Sequence, residues 1–323
     1  MILAAGLSPA WQQIVTLADL RVGEVNRARE VHWCASGKVL NVGLALHHLA
    51  RSDADLSRQD CKLKIDQRPT PRTLAVVGGL TGEAIRREFA GLDVSSRWIE
   101  TKSPTRVCTT LLVATTGATT ELVENAQPIA EDELTCFREA YREEASTAEI
   151  VVLTGSLPAG TPTTLYRELI AATPGRVVLD AQGEPLLAAL ESRPFVGKPN
   201  REELGNTLGR SLETDDQLHA AMRELCRRGA AWVVVSQGKD KIWIASEREI
   251  LPARPPQVAV VNPIGCGDCL AAGIASALAG GEDMPNAVLT GMAAAADNVG
   301  QLLPARLDAL RVEMLRQKLK FGC

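Results

Sequence analysis

Short, continuous apolar runs recur along the chain, and each ends in small or polar residues. These runs occupy residues 1–6 (MILAAG), 73–78 (TLAVVG), 149–155 (EIVVLTG), 176–181 (RVVLDA), 230–238 (AAWVVVSQG) and 257–262 (QVAVVN). Several are followed by helical patterns, at 163–172, 184–192 and 216–229. Continuous apolar runs that alternate with helices indicate parallel strands buried on both faces. The pattern predicts an α/β fold with a mostly parallel, doubly wound sheet.

Two segments interrupt this alternation of strands and helices. Residues 12–34 and 105–124 alternate polar and apolar positions, with turns at residues 23–24 and 116–117. This alternation is typical of antiparallel strands with one solvent-facing side, and we expect the two segments to form a small sheet over the ligand-binding edge. Residues 51–73 are charged and contain prolines, which predicts a surface insertion.

Polar and glycine residues follow the predicted strands. Ligands of parallel α/β sheets bind outside the carboxyl ends of the strands. We therefore expect one edge of the sheet to carry residues 78–79, 155–156, 180, 236–238 and 262–268.

The segment at 262–273 (NPIGCGDCLAAG) joins a glycine-rich turn to a helical pattern. Gly265 and Gly267 flank Cys266, so the backbone there can turn tightly and approach a ligand closely. A glycine turn that opens a helix presents free N–H groups and the positive end of the helix dipole, which together bind anions. Asp268 cannot itself bind an anion, so it either caps the helix or performs chemistry beside the anion.

Composition narrows the function classes. The chain has 323 residues, a formal net charge of −4 and 3% aromatic residues, which disfavours nucleic-acid and anionic-membrane partners. No apolar run approaches the roughly 20 residues that span a bilayer, and residues 1–11 lack the features of a signal peptide. Eight scattered cysteines predict reduced thiols in the cytoplasm. Cys266 and Cys269 form a C-x-x-C pair, but neither a second ligand pair nor suitably spaced histidines accompany it, which disfavours metal or redox chemistry.

Several motifs occur in one order along nearly the whole chain. They are LSPAW…GEVNR, SGKVLNVGLALHHLA, GGLTGEAI, TRVCTTL, LTGSLPAGTP, VVLDAQGEPL, KPNREEL, VVSQGKDKI and NPIGCGDCLAAGI. In these motifs the sequence resembles the phosphofructokinase B (PfkB, ribokinase-like) family of carbohydrate kinases, and especially its branch acting on fructose 1-phosphate and tagatose 6-phosphate.

The resemblance implies a ribokinase-like three-layer α/β/α fold formed by one kinase domain over residues 1–323, with β-lid segments near 12–34 and 105–124. It also implies ATP and Mg²⁺ as cofactors, a sugar phosphate as substrate, and a homodimer formed through the lid.

The resemblance assigns the catalytic base to Asp268 and an anion hole to the N–H groups of Gly265, Cys266 and Gly267. The chemistry agrees, because an alcohol needs a proton acceptor as it attacks phosphorus. Aligned N–H groups at the start of a helix can stabilise the charge on the transferring phosphoryl oxygens.

On the nucleotide side, Asn200 and Glu203 match an N-x-x-E element that orders the magnesium and phosphate region, with Glu203 acting on the metal through water. A helix N-cap with its capping-box partner is a compatible alternative. Ser236 and Gly238 match positions beside the nucleotide phosphates and ribose. Asn298 matches a position near the adenine pocket, or is a simple surface polar residue.

On the sugar side, the resemblance assigns substrate contacts to Gln12, Gly37, Lys38, Asn41, Arg106 and Ser156. Cations suit an anionic phosphate, and Arg27 is a further candidate. For any single Lys or Arg the alternative is an ordinary solvated role, and for Ser156 the alternative is a turn of the chain.

Two positions depart from the family pattern. Gln12 replaces an aspartate that binds sugar hydroxyls, and an amide lacks the charge-assisted hydrogen bonds of a carboxylate. Val39 replaces a glycine at which the sugar approaches. The phosphoryl-transfer residues are kept, so these changes favour a shifted substrate over a lost activity.

Three alternatives remain: a non-catalytic sugar- or nucleotide-binding homologue, a kinase of a non-phosphorylated sugar or nucleoside, and a dinucleotide dehydrogenase. Lys38 and Arg106 disfavour the second. The third is disfavoured because GCGDCL lacks the third glycine of the dinucleotide-binding turn and lies late in the chain.

Overall fold

A nine-stranded sheet runs through the described part of the chain, residues 1–56 and 70–320 of a computed structural model. The middle of the predicted insertion at 51–73 lies outside the described residues. From one edge to the other, the strands are β13 (Ile250–Ala253), β12 (Lys241–Ala245), β11 (Trp232–Gln237), β10 (Val196–Gly197), β9 (Arg176–Asp180), β8 (Ile150–Thr154), β1 (Ile2–Gly6), β4 (Pro71–Val77) and β5 (Ser96–Glu100).

Pairing from β5 to β11 is parallel, whereas β11, β12 and β13 pair antiparallel. Ile2 of the central strand pairs with Pro71 on one side and Ile150 on the other. All five residues of β1 are buried, as are all five of β8. Burial on both faces explains why these strands read as continuous apolar runs.

One strand prediction is wrong. Residues 257–262 form no strand, and the side chains of Val260 and Val261 are 69% and 45% exposed. The backbone N–H groups of Val261 and Asn262 donate to the carbonyl of Val299 instead of to a neighbouring strand. The β-branched run therefore leaves the sheet edge and leads into the glycine turn.

Helices cover both faces of the sheet. They are α1 (Lys38–Leu56), α2 (Gly79–Gly91), α3 (Glu131–Ala145), α4 (Leu165–Ala171), α5 (Gly183–Ala189), α6 (Arg201–Leu208), α7 (Asp215–Arg228), α8 (Cys266–Ala279), α9 (Met284–Val299) and α10 (Ala309–Arg316). Alternate residues of the central strands enter two separate cores, with Ile150 and Val152 in one and Val151 and Leu153 in the other. Helices α1, α2 and α8–α10 contribute to the first core and α3–α7 to the second. This is the predicted three-layer α/β/α arrangement.

Across residues 1–56 and 70–320, no helix combines the length and apolar character needed to cross a membrane.

A second sheet, here called the lid sheet, contains β3 (Glu30–Ser36), β2 (Ala10–Leu17), β6 (Val107–Val113) and β7 (Ala118–Val123), in that order. The β2–β3 and β6–β7 pairs are antiparallel, and β2 and β6 pair in parallel. Gly117 has a positive φ of 68°, which suits the turn between β6 and β7. One face of the lid sheet packs Ile14, Cys34 and Leu112 against Leu302 and Leu303.

Candidate active site

A cleft of about 360 Å³ lies between the lid sheet and the carboxyl ends of the main strands. Its size suits a small-molecule site. The lining comes from the lid sheet, the start of α1, the ends of β9–β11 and the start of α8, and includes Gln12, Gly37, Lys38, Asn41, Arg106, Glu121, Asp180, Lys198, Asn200, Glu203, Ser236 and residues 263–268.

The segment 262–268, here called the hinge, turns at Gly265, which is the N-cap of α8 and has a φ of 83°. A Cβ at this position would lie 3.1 Å from the Cβ of Pro304, so both conformation and space favour glycine. The N–H of Cys266 donates to the carbonyl of Pro263 at 3.3 Å. One of the three predicted anion-hole donors therefore already has an acceptor within the hinge.

Asp268 lies in the first turn of α8, lines the cleft and is 7% exposed. Its Oδ2 accepts a hydrogen bond from Nδ2 of Asn41 at 2.7 Å. Burial, and then the charge of Asp180, raise the pKa of Asp268 to about 6, against the opposing effects of Lys38, Asn41 and Lys198. A carboxylate with this pKa is ionised at neutral pH and basic enough to accept a proton.

Asn41 is held from the lid side. Its Oδ1 accepts a hydrogen bond from Oγ of Ser36 at 3.1 Å, which leaves Nδ2 directed at Asp268. Gly37 between them has a φ of 86°, and a Cβ there would lie 2.8 Å from the backbone of Ser8 and Ala10. Glycine is therefore required where β3 passes into α1.

Two buried charged groups lie beside Asp268: Asp180, which the sequence places at the ligand-binding edge without a role, and Lys198, which sequence reasoning missed. Asp180 ends β9 and Lys198 follows β10, and their Oδ2 and Nζ are 3.3 Å apart. On its other side, Oδ1 of Asp180 lies 3.2 Å from Nζ of Lys38. A Cβ on Gly267 would be 3.6 Å from Nζ of Lys198, which places this ammonium next to the hinge.

The two lysines hold Asp180 ionised. Burial alone would raise the pKa of Asp180, but the charges of Lys198 and Lys38 and their hydrogen bonds hold it below the ordinary value of 3.8. Burial likewise opposes the charge on Lys38, whose pKa is nevertheless raised by Asp180, Glu203 and Asp268. The cleft thus contains a Lys198–Asp180–Lys38 arrangement in which Asp180 and Lys38 are charged at neutral pH.

Asn200 and Glu203 form a capping box at the start of α6. Oδ1 of Asn200 accepts from the N–H of Glu203, and Oε2 of Glu203 accepts from the N–H of Asn200, both at 2.8 Å. The second oxygen of Glu203 lies 3.6 Å from Nζ of Lys38 inside the cleft. Asn200 also bridges to Ser236 at the end of β11.

This donor set suits magnesium held through water. Within residues 1–56 and 70–320 no group of three acidic, histidine or cysteine side chains could hold a metal on its own. Magnesium commonly keeps several waters and uses one or two carboxylates together with substrate phosphates. Glu203 fits that pattern because one of its oxygens is taken by the capping box and the other faces the cleft.

Arg106 is tied to the backbone near the lid sheet. Its guanidinium donates to the carbonyls of Ser8, Pro9 and Glu124 at 3.2, 3.3 and 3.0 Å.

Sequence reasoning missed Glu121, which lines the same cleft from β7. Burial raises the pKa of Glu121, and the charge of Arg106 acts in the opposite direction.

Gln12 is 2% exposed and lines the cleft from β2. Its Nε2 donates to Oγ1 of Thr110 at 2.8 Å, which fixes the amide against the neighbouring strand. The carbonyl oxygen is the part of this side chain that stays available as an acceptor for a ligand.

Four candidate residues lie outside the lining of the cleft. Ser156 and Arg27 are exposed, and Gly238 is exposed in the turn between β11 and β12 with a φ of 55°. Asn298 is completely buried, with its Oδ1 accepting from the N–H of Ala305 at 2.6 Å. Its Nδ2 donates to the carbonyl of Ile264 and to Sγ of Cys266, so this side chain holds the hinge from behind and is not a surface polar residue.

The expectation that Val39 faces the sugar is wrong. Val39 is 1% exposed and belongs to the first core. A Cβ built on Gly6 of β1 would lie 3.0 Å from the Cβ of Val39. The side chain points into the packing between α1 and β1, because position 39 lies on the inner side of the first turn of α1.

The sequence model of the pfkB family of carbohydrate kinases matches residues 15–306 of this chain. The match covers β3, β6 and β7 of the lid sheet, the hinge, and the cleft residues from Ser36 to Asp268.

Solved structures agree with this match. Phosphofructokinase-2 from Escherichia coli, in complex with fructose-6-phosphate, is 25% identical, with a TM-score of 0.83 over 98% of this chain and 99% of that one. A possible 1-phosphofructokinase from Thermotoga maritima is 19% identical, with a TM-score of 0.86 over 100% and 99%. Ribokinase from Thermotoga maritima is 17% identical, with a TM-score of 0.75 over 98% and 100%. The ribokinase-like fold predicted from the sequence is confirmed.

Proposed function

The chain belongs to the pfkB family of carbohydrate kinases, and from this premise we propose that it transfers the terminal phosphoryl group of ATP to a hydroxyl of a sugar phosphate. The observation that carries the proposal is the position of Asp268. Its carboxylate faces the cleft, bound to Asn41, at the start of a helix whose hinge can receive an anion.

In this proposal Asp268 accepts the proton of the attacking hydroxyl. The O–H bond breaks as the new P–O bond forms, and the proton goes to the carboxylate while ADP leaves with the electron pair of the broken P–O bond. The raised pKa of Asp268, about 6, makes it a stronger base than an exposed aspartate while keeping it ionised at pH 7. Asn41 orients the carboxylate through its hydrogen bond.

The charge of the transferring phosphoryl group is received by the hinge and by Lys198. The N–H groups of Gly265 and Gly267 at the start of α8 supply fixed dipoles. The ammonium of Lys198 lies beside Gly267 and is held there by Asp180. Asn200, Glu203 and Ser236 line the same side of the cleft and would face the ATP phosphates and a water-bound magnesium ion. Magnesium, when bound, neutralises charge on the phosphate oxygens.

The sugar side of the cleft is formed by Gly37, Lys38, Gln12, Arg106 and Glu121. Lys38 and Arg106 supply positive charge for an anionic substrate. Gln12 offers a carbonyl oxygen and Glu121 a carboxylate, and both groups accept hydrogen bonds from sugar hydroxyls. Fructose 1-phosphate, fructose 6-phosphate and tagatose 6-phosphate are the substrates to test first.

A second candidate is a kinase of a non-phosphorylated sugar. It is favoured by the hydrogen bonds of Arg106, because three of its five N–H donors already serve backbone carbonyls. It is also favoured by Glu121, a negative charge on the sugar side of the cleft.

We also propose that residues 1–323 form one kinase domain that dimerises through the lid sheet. The face of the lid sheet opposite the cleft carries Val31, Trp33 and Leu122, which are 43%, 47% and 58% exposed. Apolar side chains exposed together on a sheet are typical of an association surface. Sedimentation at micromolar concentration would give the mass of a dimer, and a monomer at all concentrations would contradict this.

The test of the function is ADP release by the purified chain with ATP and Mg²⁺ against the three sugar phosphates, their free sugars and nucleosides. We expect turnover with a sugar phosphate and a loss of about 10²–10⁴-fold or more in kcat for Asp268→Asn. Turnover with free sugars alone would favour the second candidate. Ligand binding without turnover across the panel would instead identify a non-catalytic homologue, and an active Asp268→Asn variant would refute the assigned base.

A further inference from the structure

Behind the cleft, Glu88 on α2 and Arg306 after α9 form an ion pair whose side chains are 22% and 15% exposed. One carboxylate oxygen of Glu88 binds the Arg306 guanidinium, and the other accepts the N–H of Ala35 in β3 at 2.5 Å. The guanidinium also donates to the carbonyl of Pro304 at 3.1 Å. Glu88 is therefore bonded at the same time to the lid sheet and to the segment that follows α9.

The segment that follows α9, residues 300–306, is here called the back loop. It packs against the hinge. The Cβ of Pro304 lies 3.1 Å from the position of a Cβ on Gly265. Ala305 is completely buried and has a φ of 61°, a left-handed conformation that is unfavourable for a non-glycine residue. Such a conformation persists only where the surrounding structure imposes it. The N–H of Ala305 binds Asn298, which in turn holds Ile264 and Cys266.

The other carboxylate oxygen of Glu88 is connected to Asp268 through strand β3 and Asn41. Ala35, whose N–H it accepts, precedes Ser36, and Oγ of Ser36 donates to Oδ1 of Asn41 at 3.1 Å. Nδ2 of Asn41 then donates to Asp268. Glu88 on α2 is thus linked on one side to Asn41, the hydrogen-bond partner of Asp268, and on the other side to the back loop that packs against the hinge.

The surroundings of the pair are of low polarity. Burial raises the pKa of the Cys34 thiol to about 12, and burial together with the Arg306 charge lowers the pKa of His48 to about 4. Both neighbours are therefore neutral at pH 7. An ion pair in such a setting is costly to break, because the remaining partner is left as an uncompensated charge.

We propose that Glu88 and Arg306 are positioning residues for phosphoryl transfer, holding the lid strand β3 and the back loop at a fixed distance so that Asp268 and the hinge face one reacting centre. The inference rests on the proposed function, since it assigns the two groups to a common reaction. Neither Glu88 nor Arg306 lines the cleft. A displacement of about 1 Å between reacting groups costs on the order of 10²-fold in rate.

The kinetic test compares Glu88→Gln and Arg306→Met with the double variant. Glu88→Gln keeps an oxygen for the N–H of Ala35 but loses the charge, and Arg306→Met removes the guanidinium at similar length. We expect each to lower kcat by about 10- to 100-fold with the KM values for sugar and ATP unchanged. The double variant should be no slower than either single one, because both break the same link. Arg306→Lys should recover part of kcat.

The matched control is Glu83→Gln, on the same helix, where Glu83 pairs with Arg87 in an exposed salt bridge. This change should leave kcat at the wild-type value. Wild-type kcat in Glu88→Gln, or losses that add in the double variant, would overturn the proposal. If either variant fails to fold, Glu88→Asp and Arg306→Lys, which keep the charges, decide the same question through kcat.

Hydrogen exchange separates this inference from the proposed function. In Glu88→Gln, amides of residues 33–37 and of the hinge should both exchange faster than in the wild type, and neither should change in Glu83→Gln. This result does not require turnover, so it stands even if no sugar phosphate is a substrate. Faster exchange in only one of the two segments, or in neither, would refute the coupling.

Discussion

Asn41 donates a hydrogen bond from Nδ2 to Oδ2 of Asp268 across 2.7 Å, joining the start of α1 to the start of α8. The two residues are 227 positions apart in the chain. The bond favours the ionised form of Asp268 and opposes the effect of burial, which raises the pKa of this carboxyl. The protonation of the proposed base therefore depends on a neutral side chain.

The first prediction concerns pH. If Asp268 is the base, kcat should fall as the pH drops through about 6, where its carboxylate becomes protonated. In Asn41→Ala the hydrogen bond to the charged form is lost, so the pKa of Asp268 should rise and the acid limb should move to higher pH. Profiles of kcat against pH for both proteins check this. Asn206→Ala, an exposed change on α6, is the control, and an acid limb that stays in place would contradict the assigned base.

The second prediction concerns stability. Asp180→Asn leaves Lys198, only 4% exposed, without its acid, and removing one partner of a buried pair costs about 3–5 kcal/mol. Chemical denaturation at pH 7 should show this loss, with a much smaller change for Asp132→Asn, whose pair with Lys102 is exposed.

The pH dependence of this difference has a definite sign. The folded-state pKa of Asp180 lies below its ordinary value of 3.8, so the stability that it contributes is present above that pH. It is lost as the pH falls through the folded-state pKa. Asp268 also titrates between neutral pH and about 5, and the charge of Asp180 raises its pKa, so the gap between wild type and Asp180→Asn should widen slightly there. The gap should then shrink in stronger acid, where Asp180 itself becomes protonated. A gap that does not shrink as the pH falls below 3.8 would contradict the ionised state of Asp180.

The central strands and the hinge could be predicted from the sequence because their signals are local. Residues 150–153 are apolar throughout since β8 is buried on both faces, and Gly265 marks a turn whose positive φ is unfavourable for other residues. The same reasoning failed at 257–262, where a β-branched run has the composition of a strand but finds its hydrogen-bond acceptor at the end of α9.

Contacts that depend on which strands are neighbours in the sheet could not be predicted from local sequence signals. Asp180 and Lys198 are 18 positions apart and meet because β9 and β10 are parallel neighbours. The family resemblance places Asn298 near the adenine pocket, whereas in the structure its side chain lies behind the hinge. Asn298 lies between the hinge and Ala305 of the back loop. Its side of the hinge therefore depends on the conformation of the back loop, which no local sequence pattern predicts.

The third prediction concerns the thiol within the hinge. Burial raises the pKa of Cys266 to about 11, against the hydrogen bond from Asn298, so this thiol is protonated at pH 7. Because the proposed anion hole uses backbone N–H groups, Cys266→Ala should keep wild-type kcat and KM. Iodoacetamide at pH 7 should label the exposed Cys136 well before Cys266, as peptide mass mapping would show. Rapid labelling of Cys266 with loss of activity would contradict an inert thiol.

The fourth prediction tests how the sugar is held. Glu121 enters the cleft from β7 opposite Thr110, whose hydroxyl already accepts from Gln12. If the carboxylate of Glu121 accepts hydrogen bonds from sugar hydroxyls, Glu121→Gln replaces a charged acceptor by a neutral one. Hydrogen bonds to charged groups contribute about 1.5–3 kcal/mol and neutral ones about 1 kcal/mol, so the sugar KM should rise by roughly tenfold. The KM for ATP should not change.

The sign of this effect decides between two roles of Glu121. If the carboxylate mainly repels a phosphate bound near Arg106, Glu121→Gln should lower the sugar-phosphate KM instead of raising it. Glu139→Gln, an exposed change of equal charge on α3, separates local from general electrostatic effects. Measuring the free sugar beside its phosphate sharpens the result, because hydroxyl recognition affects both acceptors while repulsion affects the phosphate alone. A lower KM confined to the phosphate would exclude the hydroxyl role and make Glu121 a residue that selects against charge.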